Sequence, residues 1–339
     1  MVVWVCCTAT LAHAGGEVAP TLEPRSPARV LLGVMDTPDA TETSIYNVTS
    51  KTAVPWVRFV HPPGVMPVGT WDLTRKVGWL VVVDGPGRAQ AARLVRVDAQ
   101  GETRTVLADL ELQRPVLATD GSVWVTTRRD NAGVLWRITA AGAAEELFVM
   151  PGTFVTAAGP GPDGTGCAAV QDGRVASLWC GAKGVSQAVQ TFAGVLRDVG
   201  AAREGFGAVA VGRQRWDVGG WTRAGFVPVA SVPGPVDAVF GQGVWLFNGG
   251  AGQGVLVARG TKIQPWLARD GERAVPLALS ADEALAVVRL DSTGLDGKSD
   301  ARAPTQYRVL DVKTGSAWRL KTHGRVTHVY GVSSVGGSP

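Results

Sequence analysis

The chain has few histidines and carries no familiar catalytic signature. Only four histidines occur among its 339 residues, at His13, His61, His323 and His328. No Ser-His-Asp order, paired-carboxylate context, phosphate-binding loop or zinc-ligand spacing stands out. His323 and His328 are five residues apart, so a strand would point them to opposite faces, although a turn at Gly324 would bring them together. The sequence therefore predicts no cofactor and leaves any catalytic residue unknown.

Charge of one sign and long apolar runs are also scarce. The net charge is only +4, and the most basic stretch is Arg-Gln-Arg-Trp at residues 213–216. Nucleic-acid binding normally needs a contiguous basic patch, so we expect no nucleic-acid partner. No apolar run after residue 11 reaches the roughly 18 residues that a membrane-spanning helix requires. We therefore predict no transmembrane segment.

The N-terminal residues have features of an export signal. Residues 2–11 are apolar, and Ala12-His13-Ala14 resembles an A-x-A cleavage site. We predict a signal peptide at 1–14 and a loop-like N-terminal extension at 15–27, which places the protein in the periplasm or outside the cell. No basic residue precedes the apolar stretch, so two alternatives remain: the true start lies upstream, or the segment is a buried first strand.

What the chain has in abundance is a repeated phrase, a glycine-containing turn followed by a short apolar strand. One example is Asp-Gly-Ser-Val-Trp-Val at residues 120–125. The equivalent positions are Trp79, Trp124, Cys167, Ala208, Trp245 and Ala286. They are separated by 45, 43, 41, 37 and 41 residues. This spacing fits the four-stranded blade of a β-propeller, which takes about 40 to 45 residues.

A second phrase, an alternating strand before a turn, keeps the same phase at residues 94–98, 135–139 and 307–311. Extrapolation places a further unit at 29–34 and an incomplete one at 325–329. Ring closure removes exposed sheet edges, so we expect the C-terminal strand to complete the N-terminal sheet. The predicted fold is an all-β propeller of seven four-stranded blades, with six or eight as alternatives. It forms one domain at 28–332, followed by a flexible tail at 333–339.

Two cysteines remain after the predicted signal peptide, and both lie in one predicted hairpin. A turn centred between Gly173 and Arg174 places Cys167 directly opposite Cys180, within reach of a disulfide. A turn one residue earlier would pair Cys167 with Leu178 instead. An oxidising compartment favours the disulfide, and two reduced core cysteines are the alternative.

Tryptophan is unusually common, with 12 Trp against 8 Phe and 3 Tyr. Trp79, Trp124 and Trp245 share one repeat position, and aromatic residues locked to a repeat normally pack between blades. The less regular tryptophans are Trp216, Trp221 and Trp266. We expect these three to be exposed and take them as candidate binding residues.

One loop interrupts the repeat. Residues 291–300 are rich in Asp and Gly, which suits a calcium loop with Asp291, Asp296 and Asp300 as candidate ligands. Their spacing does not fit an EF-hand. The preferred interpretation is an inserted, solvated connection between two strands, with calcium binding as the alternative.

The blade phrases resemble two groups of known propellers. Residues 120–142 look like blades of streptogramin-lyase and NHL-type propellers, and residues 278–288 with 307–318 are similar to the repeats of TolB-type periplasmic propellers. The streptogramin-lyase resemblance implies a metal-assisted lyase with a histidine and acidic residues in its central channel. In this chain Thr126 and Thr127 stand in place of the acid.

The expected function is an exported, non-catalytic binding or scaffold module for a protein or cell-envelope component. It would act as a monomer or within a complex. The alternative is a lyase or hydrolase with its active site in the central channel, since fold alone does not determine function. The channel lining discriminates between them: converging acids and histidine favour the enzyme, and an apolar or plugged channel favours the binder.

Overall fold

The structure, a computed structural model, describes residues 19–335 except 36–40, 63–66, 84–91, 131, 152–153, 162–163, 204, 212–214, 223, 250–251, 294–304 and 323–324. All regular elements in these ranges are β-strands, and none of the described segments is a helix of the length and apolarity that a membrane span needs. The predicted signal peptide at 1–14 and the end of the tail at 336–339 lie outside the described residues, and the domain boundaries stay predictions.

The described strands fall into consecutive groups along the chain. The first strand, β1 (Thr21–Leu22), precedes blade 1, which takes β2 (Ala28–Met35), β3 (Glu42–Val48) and β4 (Ala53–Val60). Blade 2 contains β5 (Val68–Asp72), β6 (Val77–Val83), β7 (Ala92–Val97) and β8 (Thr103–Leu110). Blade 3 contains β9 (Val116–Leu117), β10 (Val123–Arg129), β11 (Ala132–Ile138) and β12 (Ala144–Pro151).

The remaining blades continue in the same order. Blade 4 contains β13 (Phe154–Pro160), β14 (Gly166–Asp172), β15 (Val175–Ala182) and β16 (Val185–Ala193). Blade 5 contains β17 (Val195–Ala202), β18 (Gly205–Val211), β19 (Arg215–Thr222) and β20 (Gly225–Pro233). Blade 6 contains β21 (Ala238–Phe240), β22 (Trp245–Asn248), β23 (Val255–Arg259) and β24 (Lys262–Trp266). Blade 7 contains β25 (Glu272–Leu279), β26 (Leu285–Ser292), β27 (Gln306–Asp311) and β28 (Ala317–Lys321), and β29 (Arg325–Ser334) is the last described strand.

Seven antiparallel sheets stand around one axis, as the repeat predicts. Neighbouring inner strands contact one another in the order β29, β5, β9, β13, β17, β21, β25 and back to β29. This closed circuit is a seven-bladed β-propeller, and it confirms the predicted fold class and blade number. Because the inner strands all run the same way, their first residues meet at one end of the central channel.

Both ends of the chain close the ring, at the junction between blades 7 and 1. The C-terminal strand β29 forms the inner strand of blade 1 and pairs with β2 from Ala28↔Ser334 to Met35↔Arg325. This confirms the predicted closure. The strand β1 lies inside the extension that was expected to be loop-like, and it adds a fifth strand to blade 7 by pairing with β28. Burial of Leu22, which is only 4% exposed, explains why this segment is ordered.

The repeat-phased tryptophans serve the core between blades. Trp79 and Trp124 are buried, as their shared phase predicts. Each lies opposite an arginine on the neighbouring strand, Arg96 and Arg137, whose guanidinium groups sit 5.9 Å and 5.8 Å from the indole centroids. A guanidinium near an aromatic face within about 6 Å is attracted by the ring. The same repeat position therefore supplies both packing and a cation–π contact in two successive blades.

Close packing between blades 5 and 6 depends on a glycine. The ring of Phe240 on β21 fills the space beside Gly207, where an added β-carbon would overlap it. Gly220, the register partner of Gly207, has more room, with Trp245 Cη2 3.6 Å from such a β-carbon. Neither glycine has a positive φ, so the difference between the two sites is steric.

The disulfide between Cys167 and Cys180 is present and links β14 to β15 within blade 4. The two residues are direct register partners with their Cα atoms 4.2 Å apart. Asp172 pairs with Val175, so the turn is centred between Gly173 and Arg174, which was the first of the two predicted arrangements.

Candidate functional site

A cavity of about 400 Å³ occupies the end of the central channel at which the inner strands begin. We call it the channel cavity. Residues near the starts of β17, β21 and β29, the middle of β25, and the segment before β9 converge on it. Its charged and imidazole-bearing lining residues are Arg114, Arg197, Asp198, Asp237, Arg289 and His328. The channel cavity is therefore polar and carries more arginines than carboxylates.

A β-bulge brings two neighbouring charged residues to the cavity from one strand. The register of β17 with β18 shifts between Leu196 and Asp198, which leaves Arg197 as the extra residue. Successive side chains of a regular strand point to opposite faces, and a bulge relaxes that alternation. Arg197 and Asp198 both line the channel cavity, while Leu196 and Val199 on either side are buried in the sheet packing.

Two ion pairs involve residues of the cavity lining: one joins the lining residue Asp237 to Arg273, which lies outside the lining, and the other joins the lining residue Arg289 to Asp291. Arg273 donates from Nη2 to Asp237 Oδ2 at 3.0 Å and to the Pro235 carbonyl at 3.1 Å. Arg289 lies 2.9 Å from Asp291 Oδ2 through its own Nη2. Within each pair the two charges neutralise one another, and the contact fixes the arginine side chain.

Arg114 and Arg197, unlike Arg273 and Arg289, form no ion pair with the described residues. Both are exposed, and neither has a hydrogen-bond or ion-pair partner among the residues that the structure describes. Both guanidinium groups nevertheless act electrostatically on Asp198, and the charge of Arg114 also reaches His328. The channel cavity therefore has two available cations close to one carboxyl group.

Asp198 is the less hydrated of the two acids that line the cavity. Burial raises the pKa of its carboxyl group above the ordinary aspartate value, and the nearby Asp237 acts in the same direction. Arg114, the Val199 N–H that donates to Oδ1 at 2.8 Å, and Arg197 oppose this rise in pKa. The protonated form of Asp198 is thereby favoured relative to a solvated aspartate.

His328 is held in its neutral form at the wall of the same cavity. Its Nε2 lies 3.1 Å from the Gly69 carbonyl, which can only accept, so Nε2 carries the proton. Burial and the positive charge of Arg114 lower the pKa of the imidazole to about 4, although the bond to Gly69 acts against this change. The ring also packs edge-on against Tyr330 at 4.9 Å between centroids. His328 therefore contributes no positive charge at neutral pH.

The tryptophans named as binding candidates do not meet in one site. Trp221 is 0% exposed, so its expected exposure is wrong: it lies opposite Phe206 and packs into the cluster that contains Cys167. Trp216 and Trp266 are partly buried, and Trp266 covers Gly315, whose lack of a side chain makes room for the indole. None of the three lines the channel cavity.

The candidate calcium ligands are only partly described. Asp291 is engaged by Arg289, whose Nε donates to Asp291 Oδ2 at 3.0 Å, while Asp296 and Asp300 lie outside the described residues. Within the described part of the chain, no group of three or more His, Cys, Asp or Glu is placed to hold a metal ion. The calcium alternative therefore stays a prediction.

The charged residues of the cavity were missed because they are distant in sequence and individually ordinary. Asp198 and Asp237 occur at similar points of successive repeats, near the start of an inner strand. Arg114 stands in the same place, just before β9. Polar residues recur near the point where an inner strand begins, and this pattern could have predicted the site. The pattern becomes visible only when the repeats are aligned on their inner strands rather than on the strands that carry the tryptophans.

Comparison with known proteins gives the fold without a sequence family. No protein-family model matches the chain, and no curated protein does. A protein of Bacteroides fragilis named for a proposed 6-phosphogluconolactonase activity superposes with a TM-score of 0.56 at 10% identity, over 90% of this chain and 97% of that one. TolB from Acinetobacter baumannii gives a TM-score of 0.50 at 10% identity, over 90% of this chain and 67% of that chain. The chain is thus a seven-bladed β-propeller similar in structure to TolB and to a lactonase-type propeller.

Proposed function

We propose that this protein is an exported, non-catalytic binding module whose channel end engages a protein or cell-envelope component. The observation that carries the proposal is the pair of exposed arginines, Arg114 and Arg197, at the channel cavity without a partner among the described residues. Arginine is enriched among the residues that dominate binding energy in protein interfaces. The disulfide Cys167–Cys180 supports export, because disulfides persist in oxidising compartments.

The ring fixes the backbone positions from which these side chains extend. Arg197 lies on an inner strand of the closed circuit and Arg114 lies just before another, so the seven mutually supporting sheets set the spacing of the two backbone positions. A preorganised backbone loses less conformational entropy on binding. A cavity of about 400 Å³ also falls within the range of roughly 300 to 1,000 Å³ typical of ligand sites.

Site-specific crosslinking in the native envelope fraction tests the proposal. A photo-crosslinking residue at Val239, which lines the channel cavity, should capture one partner in stoichiometric amount. The matched control places the same residue at Lys183, exposed in the turn between β15 and β16 on the opposite face of the ring. Equal capture from both positions, or no stoichiometric partner from Val239, would count against the proposal.

A second candidate function is supported by the channel lining, which is polar rather than apolar or plugged and brings two acids and a histidine together, as expected for the enzyme. Asp198 and His328 line the same cavity, and an acid with a raised pKa in one cavity with a neutral imidazole is a combination that acid–base catalysis uses. On this alternative the protein is a lyase or hydrolase, with Asp198 as the proton donor. A lactone and glycoside substrate panel, with metal analysis of the purified protein, tests it. Turnover that Asp198→Asn abolishes would support the enzyme, and no turnover by the parent would reject it.

A further inference from the structure

We propose that the channel cavity is a carboxylate-binding site in which Arg114 and Arg197 together hold the carboxylate of a ligand with a short apolar group. The inference rests on the proposed binding function and names the chemistry that the partner must present. Two sources share this chemistry, a free aliphatic carboxylic acid and the C-terminus of a peptide.

The charges around the cavity leave two guanidinium groups available. Arg273 is bound to Asp237, and Arg289 is bound to Asp291, so neither can turn to a ligand without breaking an ion pair. Arg114 and Arg197 have no such bond within the described residues. The planar guanidinium fork matches the two oxygens of a carboxylate, and bidentate pairs of this kind are among the strongest hydrogen bonds in proteins.

The acids in the cavity limit how much negative charge the ligand can carry. Asp198 lines the same cavity as Arg114 and Arg197, and the positive charges of both arginines act on its carboxyl group. A phosphate dianion would face this carboxyl group at close range, and like charges repel strongly where water is partly excluded. A carboxylate carries a single negative charge, so the repulsion from Asp198 is smaller for it than for a dianion. The site therefore favours a carboxylate over a phosphate.

Part of the lining is apolar. Ala238, Val239 and Leu277 are partly exposed and line the cavity on the side of blades 6 and 7. An aliphatic group attached to the carboxylate would remove this surface from water, at about 25 cal/mol for each Å² buried. A hydrophobic C-terminal residue of a peptide meets the same requirement as a small branched acid.

Calorimetric titration of the purified full-length chain tests the site with defined probes. The probes are isovalerate, the uncharged isovaleramide, inorganic phosphate, and a tetrapeptide ending in leucine with a free or an amidated C-terminus. We expect isovalerate or the free-acid peptide to bind, and the matching amide to bind at least tenfold more weakly. Peptide binding without isovalerate binding assigns the site to a peptide C-terminus, and the reverse assigns it to a small acid.

Variants connect binding to the two arginines. Arg114→Gln and Arg197→Gln should each weaken carboxylate binding at least fivefold, and Arg114→Lys, which keeps the charge without the planar fork, should weaken it less than Arg114→Gln. Arg104→Gln is the matched control, because Arg104 is exposed on β8 in the outer part of blade 2. It should bind like the parent. Circular dichroism and urea unfolding confirm that each variant is folded.

Several results would overturn the assignment. These are equal binding of acid and amide in both probe pairs, tighter binding of phosphate than of either carboxylate probe, unchanged affinity in both glutamine variants, or no binding of any probe. Carboxylate binding together with a failed envelope crosslink supports the site and counts against the macromolecular partner alone. A successful crosslink without carboxylate binding supports the macromolecular partner and counts against the carboxylate site.

Discussion

At the scale of single residues, the channel controls the ionisation of His328. Its pKa lies near 4 in the folded protein because of burial and Arg114, and a solvated imidazole in the unfolded chain titrates near 6.5. Between these two values the unfolded state binds more protons. Stability is therefore complete above pH 6.5 and is lost as the pH falls toward 4, by about 2 to 3 kcal/mol for this residue after allowance for its partial exposure.

His328→Gln isolates this contribution, because the glutamine amide can still donate to the Gly69 carbonyl. Urea unfolding of both proteins at pH 7 and pH 4 measures the difference. We expect the parent to lose about 2 to 3 kcal/mol more than the variant over this interval. Asp198 is present in both proteins, so its contribution to the pH dependence of the unfolding free energy cancels to first order in the comparison. Parallel pH profiles would show that His328 is not held in its neutral form.

Gly207 and Gly220 provide a matched test of packing between blades. A β-carbon at Gly207 overlaps the ring of Phe240, whereas one at Gly220 makes an ordinary contact with Trp245 at 3.6 Å. Gly207→Ala should destabilise the protein by about 1 to 3 kcal/mol, the usual effect of overpacking. Gly220→Ala should leave stability unchanged or raise it by up to about 1 kcal/mol, since alanine restricts the unfolded chain. Equal losses in urea unfolding would contradict the steric explanation.

At the scale of elements, the disulfide between β14 and β15 is expected to stabilise blade 4. Linking two residues 13 apart restricts the unfolded chain, and a loop of this size is worth about 3 kcal/mol in the chain-entropy model. The double variant Cys167→Ala with Cys180→Ala should lose about 2 to 3 kcal/mol of unfolding free energy. Adding a reductant should lower the stability of the parent and leave the variant unchanged. A parent insensitive to the reductant, with the bond shown to be broken, would contradict this expectation.

Elements were predictable where the sequence repeats and unpredictable where a strand departs from regularity. The second strand of each blade is apolar, and in blades 3 to 6 it follows a glycine-containing turn. The sequence therefore predicted the phase of the repeat and the two facing cysteines. The inner strand of blade 5 carries a bulge at Arg197, and bulges have no simple sequence signature. The site therefore escaped prediction, because it depends on bulges and on contacts between distant repeats. Trp221 was misjudged for a related reason: it is out of phase with the other tryptophans but still faces the core.

At the scale of the whole molecule, the two closing strands should differ in importance. The strand β29 supplies ten residues and the inner edge of blade 1, while β1 supplies two residues at the outer edge of blade 7. Removal of residues 325–339 should abolish the cooperative unfolding transition. Removal of residues 1–23 should retain it and cost about 2 to 3 kcal/mol, chiefly the burial of Leu22. Gel filtration and urea unfolding measure both effects, and a monomeric, cooperatively unfolding chain without 325–339 would contradict this view of closure.

The pairing of Ala28 with Ser334 also fixes the order of events when the protein is made. The three outer strands of blade 1 precede the other six blades in the chain and its inner strand follows them, so blade 1 cannot be completed until β29 has been synthesised. The contact spans almost the whole sequence, and contacts of such separation form slowly. Until then the inner edge of β2 stays open to other strands, which is the condition that favours aggregation. A chaperone that acts on this protein would therefore be needed from the synthesis of β2 until β29 pairs with it.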